Sequence, residues 1–443
     1  MAVLGGGLQG CCIALVLSER GARVTLYDRN DMLMTQAAVA NEGRMHLGYI
    51  YAADKSLATA RMMIRGALAF GPFVERHIGM PPSRLELSPP STYVVHRDSQ
   101  RPVDELTGYL GAVHALVREA AGGRKDAYFG VELRPAPRKW SAAELDGLFD
   151  GSLALAAFDT PEVAIDPLVL GAAVRERVAA TPAIETRMQC NVCAVEENGA
   201  ALRVVSDGPE GTARDTYDHV VNALWDGRLA IDASLGLRPS RPWMHRFKYG
   251  IRFRPPPGTR PLPTIAIALG PFGDLIVYDQ GMAYLNWYPT CLDAISHEVS
   301  PPDWSPIPAE PRRARVVAET LQAMAEIVIP LRDLDSGSLL ECTVQGGVIV
   351  AWGHTDIDDP ASELHRRYDI GVTSNRRYHS VDPGKLTMTP YFAGVCAACL
   401  QPHDDVLEED YIAALLAAAE ANPGAAVVYS DIQSFGTHDW VFQ

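Results

Sequence analysis

The chain opens on a short apolar run, Ala2-Val3-Leu4, breaks into Gly5-Gly6-Gly7-Leu8-Gln9-Gly10, and resumes as a longer apolar stretch from Cys11 to Leu17. This pattern predicts a strand, a tight turn and a buried helix that Gly21 ends, and Val24-Thr25-Leu26-Tyr27 then predicts a second strand. Further on, segments 243–253, 263–269 and 274–288 read as short strands between proline- and glycine-rich turns, the signature of a mainly antiparallel sheet. Across 307–328, Ala, Val, Leu and Met recur at helical spacing and predict one helix. No apolar run approaches the roughly 20 residues that cross a bilayer. Cys11–Leu17 lacks the preceding basic stretch of a signal peptide, so no transmembrane segment is expected.

At 443 residues the chain is long enough for two domains, and its 47% apolar and 21% charged content is that of a globular protein. The formal charge of −15 argues against a nucleic-acid or anionic-membrane partner and leaves a cytoplasmic enzyme of a small-molecule substrate as the expectation. Two of the eight cysteines' spacings, Cys190 to Cys193 and Cys396 to Cys399, have the C-x-x-C form. The first pair falls in a strand-like run, where residues three apart point to opposite faces. The second falls in a small-residue helix, where cysteine packs as a small hydrophobe. No histidine stands near either pair at ligand spacing, so no metal is expected.

The glycine cluster has the form G-x-G-x-x-G at Gly5, Gly7 and Gly10. Gly5 makes the turn, Gly7 lets a pyrophosphate approach the backbone, and Gly10 lets helix and strand pack closely, with Ala14 small at the next turn. Asp28 closes the second strand, where an acid can hold the adenosine ribose hydroxyls. The pyrophosphate would rest on the N-terminus of the helix beginning near Leu8. Only Met1 precedes the first strand, so the native start is either very tight or lies a little upstream.

Four stretches together resemble the D-amino-acid-oxidase-like superfamily of FAD-dependent oxidoreductases, which includes glycerol-3-phosphate and 2-hydroxyglutarate dehydrogenases and the glycine and sarcosine oxidases. The first is the glycine motif with Asp28. The second, Asn41-Glu42-Gly43-Arg44-Met45-His46-Leu47-Gly48, is similar to the loop that lies along the flavin. The third is Glu162-Val163-Ala164-Ile165-Asp166-Pro167-Leu168, followed by a helix, a strand and Val220-Val221-Asn222-Ala223. The fourth, Ser380-Val381-Asp382-Pro383-Gly384-Lys385-Leu386-Thr387, is similar to the Gly-Lys-x-Thr turn that approaches the flavin ring. One departure is Leu224-Trp225, where relatives place glycine.

The resemblance implies FAD as cofactor and an α/β fold. In it, a Rossmann-like FAD-binding domain (residues 1–78, 150–235 and 346–400) is interleaved with an α+β substrate domain on a mainly antiparallel sheet (79–149 and 236–345). It assigns cofactor contacts to Gly5, Gly7, Leu8, Gln9, Gly10, Asp28 and Arg29, and in the loop to Asn41, Gly43, Arg44 and Met45. It assigns further contacts to Asn222, Ala223, Gly384, Lys385, Leu386 and Thr387. Residues 401–443, with Asp404-Asp405, a helix at 408–422 and a strand at 426–431, resemble a fragment of a family 2 glycosyltransferase without its nucleotide-binding half.

An enzyme of this kind moves a hydride from a carbon bearing nitrogen or oxygen to the flavin, and the protein supplies a proton acceptor and an anion clamp. His46 is the first candidate for the proton role, by its pKa class and by the implied place of its loop. It is alternatively a hydrogen-bond partner of the flavin, or its covalent attachment point. Arg246 and Lys248 share one face of a strand and offer two cations to a substrate carboxylate or phosphate, unless that face is a solvated edge. Tyr49, Tyr288 and His354 are secondary candidates, and Lys385 would stabilise negative charge on the reduced ring. The electron acceptor is left open. Competing readings are an NAD(P)-linked dehydrogenase and a flavoprotein-like scaffold or partner subunit without chemistry.

Overall fold

The computed structural model describes residues 1–124 and 127–400; the tail elements expected within 401–443 lie outside the described residues. Strand β1 (Ala2–Leu4), helix α1 (Leu8–Glu19) and strand β2 (Val24–Tyr27) follow one another as their apolar spacing requires, and every residue of both strands is buried. Gly21, at φ +87°, turns the chain out of α1.

β1 lies at the middle of a six-stranded sheet ordered Gly371–Asn375, Tyr378–Asp382, Val220–Asn222, β1, β2, Ile184–Arg187. All pairings are parallel except that of the edge strand Gly371–Asn375. β2 sits on one side of β1 and Val220–Asn222 on the other, so the winding reverses at β1 and opens a crevice at its C-terminal end. Two close approaches fix the turn there. A Cβ on Gly5 (φ +102°) would lie 2.6 Å from the Ala223 carbonyl oxygen, and one on Gly10 would lie 1.8 Å from the Gly5 carbonyl oxygen. Only glycine lets the helix start this close to the strand end.

The second sheet has nine strands and is mostly antiparallel, with one parallel pairing between Thr92–His96 and Ile265–Ala268. Its spine is Trp243–Arg254, a single 12-residue strand longer than expected, paired along its length with Leu340–Trp352. The expected strand over 274–288 is instead a hairpin, Gly273–Val277 and Ala283–Trp287, turned at Gly281 (φ +79°). The expected helix over 307–328 begins only at Arg312, because prolines at 306, 308 and 311 lack the backbone N–H that earlier helical turns would need. Two expected domain boundaries cut this sheet: Leu340–Trp352 runs across residue 346, and Ala154–Asp159 pairs with Thr92–His96. A third sheet, the antiparallel meander Asn191–Asn198, Ala201–Gly208, Gly211–Tyr217, was not anticipated.

In that meander a bulge at Cys193 interrupts the alternation that would have separated Cys190 from Cys193. Among the described residues all cysteines are free, no group of three or more His, Cys, Asp or Glu could hold a metal ion, and no helix is long and apolar enough to cross a membrane.

The Gly10 contact can be tested on the apoprotein. Gly10→Ala should lower its unfolding free energy by about 1–3 kcal/mol in urea melts, as overpacking does. Gly7→Ala, whose Cβ would meet nothing within 4 Å, should stay within about 0.5 kcal/mol of the parent.

Candidate active site

A cavity of about 840 Å³ runs from Asp28 and Arg29, past Gly5, Gly7, Leu8 and Gln9 at the start of α1, to His46 and Lys385. Its size falls in the range of roughly 300–1,000 Å³ typical of ligand sites. Asp28 is held at its edge, its carboxylate accepting the N–H of Gly6 at 2.7 Å and of Asn30 at 2.8 Å. α1 starts at Gly7 with no side-chain cap and no acid in its first turn, so its N–H groups are left for a ligand anion. Gln9 lines the cavity while both its buried amide atoms lack a partner. These are the features a dinucleotide needs, and the residues fit FAD: ribose at Asp28, pyrophosphate at α1, the ring beside His46 and Lys385.

The segment 37–49 contains neither helix nor strand. It is tied to the nine-stranded sheet and to the turn that follows Tyr378–Asp382. Glu162, fully buried, accepts the N–H of Leu47 at 2.6 Å and of Gly48 at 3.2 Å, together with the hydroxyl of Tyr93 from the nine-stranded sheet. The His46 N–H bonds Thr387 Oγ1 at 3.1 Å, and that hydroxyl donates to the Arg44 carbonyl. Arg44 is buried on Ser91, Ile265 O and Asp274, the last at 3.1 Å.

A second cavity of about 150 Å³ adjoins the first, and both are lined by Glu42, Arg44, His46, Lys248, Ile349 and Lys385. Arg246 reaches the smaller cavity and is only 4% exposed, so its strand is not a solvated edge. Asp356 already pairs with Arg246 at 2.8 Å, and Tyr288 accepts from the same nitrogen. Lys248 Nζ bonds Asn286 at 3.3 Å and has no carboxylate within 4 Å among the described residues. Arg367, missed in the sequence, is 6% exposed, and its guanidinium donates to the carbonyls of Leu364, Val350 and Gly384, with no carboxylate within 4 Å among the described residues.

The charges around the junction set its chemistry. Burial, then Lys385, Arg44 and Arg367, push the His46 imidazole well below its ordinary value. It is therefore neutral, and both its ring nitrogens lack hydrogen-bond partners. Burial brings the Lys385 ammonium down to about 8; Glu42 opposes this and Arg367 adds to it. Burial alone would raise the Glu42 carboxyl, but Lys385 and Lys248 hold it below the usual range.

Other expected residues stand back from the cavities. Tyr49 is buried with its hydroxyl on His114 Nδ1 at 3.0 Å and lines neither cavity; Tyr51, two residues on, lines the smaller one. His354 is exposed beside His297, 6.4 Å between rings. Asn222 is a buried support, its amide donating to Arg228 O, Asp232 and Tyr378, whereas Ala223 beside it lines the cavity. Gly10, Gly43, Met45 and Thr387 shape the backbone behind the lining, while Asn41, Gly384 and Leu386 belong to it. Arg29 pairs with Asp226 at 2.9 Å across the cavity rim. At the departure from the expected glycine, Trp225 takes φ +59° and donates its indole N–H to Val348 O at 2.7 Å. That left-handed conformation costs a tryptophan about 1–2 kcal/mol, which one hydrogen bond of about 1 kcal/mol scarcely offsets.

A family profile described as DAO, FAD dependent oxidoreductase, matches residues 1–286. The chain belongs to this family. It is an FAD-dependent oxidoreductase, which sets aside the NAD(P)-linked and non-enzymatic readings. Among solved structures, glycine oxidase from Geobacillus kaustophilus superposes with a TM-score of 0.63 at 14% identity, over 91% of this chain and 95% of that one. Iminodiacetate oxidase from Chelativorans sp. BNC1 gives 0.60 at 18% identity, over 92% and 98%. FAD-bound L-alpha-glycerophosphate oxidase from Mycoplasma pneumoniae gives 0.58 at 13% identity, over 90% and 94%. At these identities the likeness is one of fold. A stretch of 52 residues is 38% identical to the FAD-dependent monooxygenase FPY4 of Fusarium mangiferae, and it spans 12% of this chain and 14% of that protein.

Gln9 offers a direct test of the nucleotide contacts. Gln9→Leu removes two unpartnered polar atoms, so the apoprotein should unfold no more easily. The Kd for FAD in apoprotein titrations should rise about 2- to 10-fold, the worth of one hydrogen bond.

Proposed function

We propose that this oxidoreductase oxidises a C–H next to nitrogen or oxygen in a small anionic amine or hydroxy acid bound in the 150 Å³ cavity. The observation that carries this reading is a small cavity opening onto the cofactor cavity and lined by cations with no carboxylate within 4 Å among the described residues, the buried Arg367 and the half-buried Lys248 among them. A buried guanidinium such as that of Arg367 costs several kcal/mol when left uncompensated. A substrate carboxylate removes that cost. Arg367, pinned by three carbonyls, and Lys248 are the anchors in this reading; Arg246 is held by Asp356 and Tyr288 and shapes the wall between them. The names of solved neighbours, glycine oxidase, iminodiacetate oxidase and L-proline dehydrogenase, are those of enzymes of small amine-bearing acids, which is in keeping with it.

FAD, which would be held by the residues lining the larger cavity, would supply a two-electron acceptor for the substrate's hydride. The chain's part is to hold the substrate and to take its proton. His46 was the first candidate for that proton, but burial and then the charges of Lys385, Arg44 and Arg367 disfavour an imidazolium. Its neutral ring serves as a hydrogen-bond partner at the junction. Lys385, with a pKa of about 8, is the better proton acceptor, and its neutral form is the competent one.

The test is anaerobic mixing of the yellow protein with a panel of small amino and hydroxy acids and their uncharged amides, following loss of flavin absorbance. Reduction by acids and not by amides is expected; reduction by the uncharged forms alone would sink the reading. With a substrate in hand, the reduction rate should climb about tenfold per pH unit below about 8 and level off above it. Lys385→Met should abolish that limb. Arg367→Met should raise the substrate Kd by about tenfold or more, the loss of a charge-assisted hydrogen bond of about 1.5–3 kcal/mol.

A further inference from the structure

We propose that Trp225 is a retention residue for the cofactor, latching the segment Leu224–Gly227 across the nucleotide half of the FAD cavity so that FAD leaves only when the latch opens. The segment leaves the sheet close against the glycine turn, where a Cβ on Gly5 would touch Ala223 O at 2.6 Å and Leu224 Cα at 3.1 Å. Residues 224–227 all line the cavity at that point. Two ties hold the segment, one to each flank. The Trp225 indole N–H reaches Val348 O on a strand of the nine-stranded sheet, and Asp226 pairs with Arg29 just after β2. Both ties are reversible: one is a single neutral hydrogen bond, and the other is an ion pair whose arginine is 47% exposed.

The loop between strand Leu292–Ser296 and the helix from Arg312 contributes a further wall to the same cavity. Residues 300–304 line it, and Trp304 packs on Phe247 with ring centroids 5.5 Å apart. That wall is anchored independently of Trp225, by Gly346 N to Pro306 O at 2.7 Å and Tyr249 Oη to Ser305 O at 3.2 Å. The movable side is therefore the Trp225 side. A tryptophan held at φ +59° is a costly residue for a mere wall, because a smaller residue would line the cavity without the strain. The indole spans to Val348 from this backbone position, and that bridge is what the strained conformation provides.

The test uses the full-length, FAD-loaded protein and its two tie-breaking variants. Release of FAD after dilution is followed by the gain in flavin fluorescence, and thermal midpoints are recorded with and without the cofactor. Trp225→Phe keeps a ring but loses the N–H, and should release FAD about 3- to 10-fold faster. Arg29→Gln, cutting the other tie, should also speed release. In both, the midpoint difference between loaded and stripped protein should shrink while the stripped protein melts close to the parent. The proposal is overturned if both variants release FAD at the parent rate. It is equally overturned if Trp225→Phe lowers the loaded and stripped midpoints alike with release unchanged, which would make Trp225 a packing residue. Trp225→Gly, which relieves the backbone strain, should release FAD at least about tenfold faster if it folds; the phenylalanine variant decides the matter if it does not.

Discussion

The carboxylate of Glu162 has no solvent, and it is satisfied by two backbone N–H groups of the loop at 47–48 and by the hydroxyl of Tyr93. Hydrogen bonds to a charged acceptor are worth about 1.5–3 kcal/mol each; with the Arg44 charge they oppose the burial that still raises the Glu162 carboxyl above its ordinary value. The geometry of everything around His46 follows from that anchorage. A loop with no secondary structure of its own is held between the sheet that binds the nucleotide and the sheet that forms the smaller cavity. Thr387 pins the same loop from the other side, through the His46 N–H and the Arg44 carbonyl.

This rigid junction concentrates positive charge. Arg44, Arg246, Lys248, Arg367 and Lys385 line the smaller cavity, against Glu42 and Asp274 in its wall and Asp356 behind Arg246. Two of the cations are matched within 4 Å, Arg44 by Asp274 and Arg246 by Asp356. The surplus has two effects that point the same way. It favours an anionic ligand, and it adds to the burial that chiefly leaves His46 neutral and brings Lys385 down to about 8. The assignment of the proton role thus moves from a histidine to a lysine for electrostatic reasons that no local pattern reveals.

Much of this was legible in the chain, because the nucleotide half depends on local chemistry. The glycine turn, α1, β2 and Asp28 lie within 28 consecutive residues, and short-range sterics dictate them. The loop at 41–48 and the turn at 384–387 were recognisable as stretches, although not as contacts of one another. Sequence spacing failed where residues meet only through tertiary packing. Arg367 sits in a charge run without periodicity and becomes informative only when its carbonyl partners and missing carboxylate are seen. Tyr49 was separated from Tyr51 by nothing but the direction each takes in an irregular loop. Trp225 did leave a trace, as a bulky residue where a glycine was expected, and its positive φ gives that trace its physical meaning.

The parallel sheet carries a consequence for biogenesis. Its glycine turn is among the first parts of the chain to be made, yet one neighbour of β1 is Val220–Asn222, and the hydroxyl that fixes the His46 loop follows His46 by 341 residues. A nascent chain therefore presents an apolar α1 and a half-built phosphate turn long before either has a partner, a state prone to misassociation. A chain that stops between Asp28 and Thr387 would carry the nucleotide motif without the hydroxyl that pins the His46 loop.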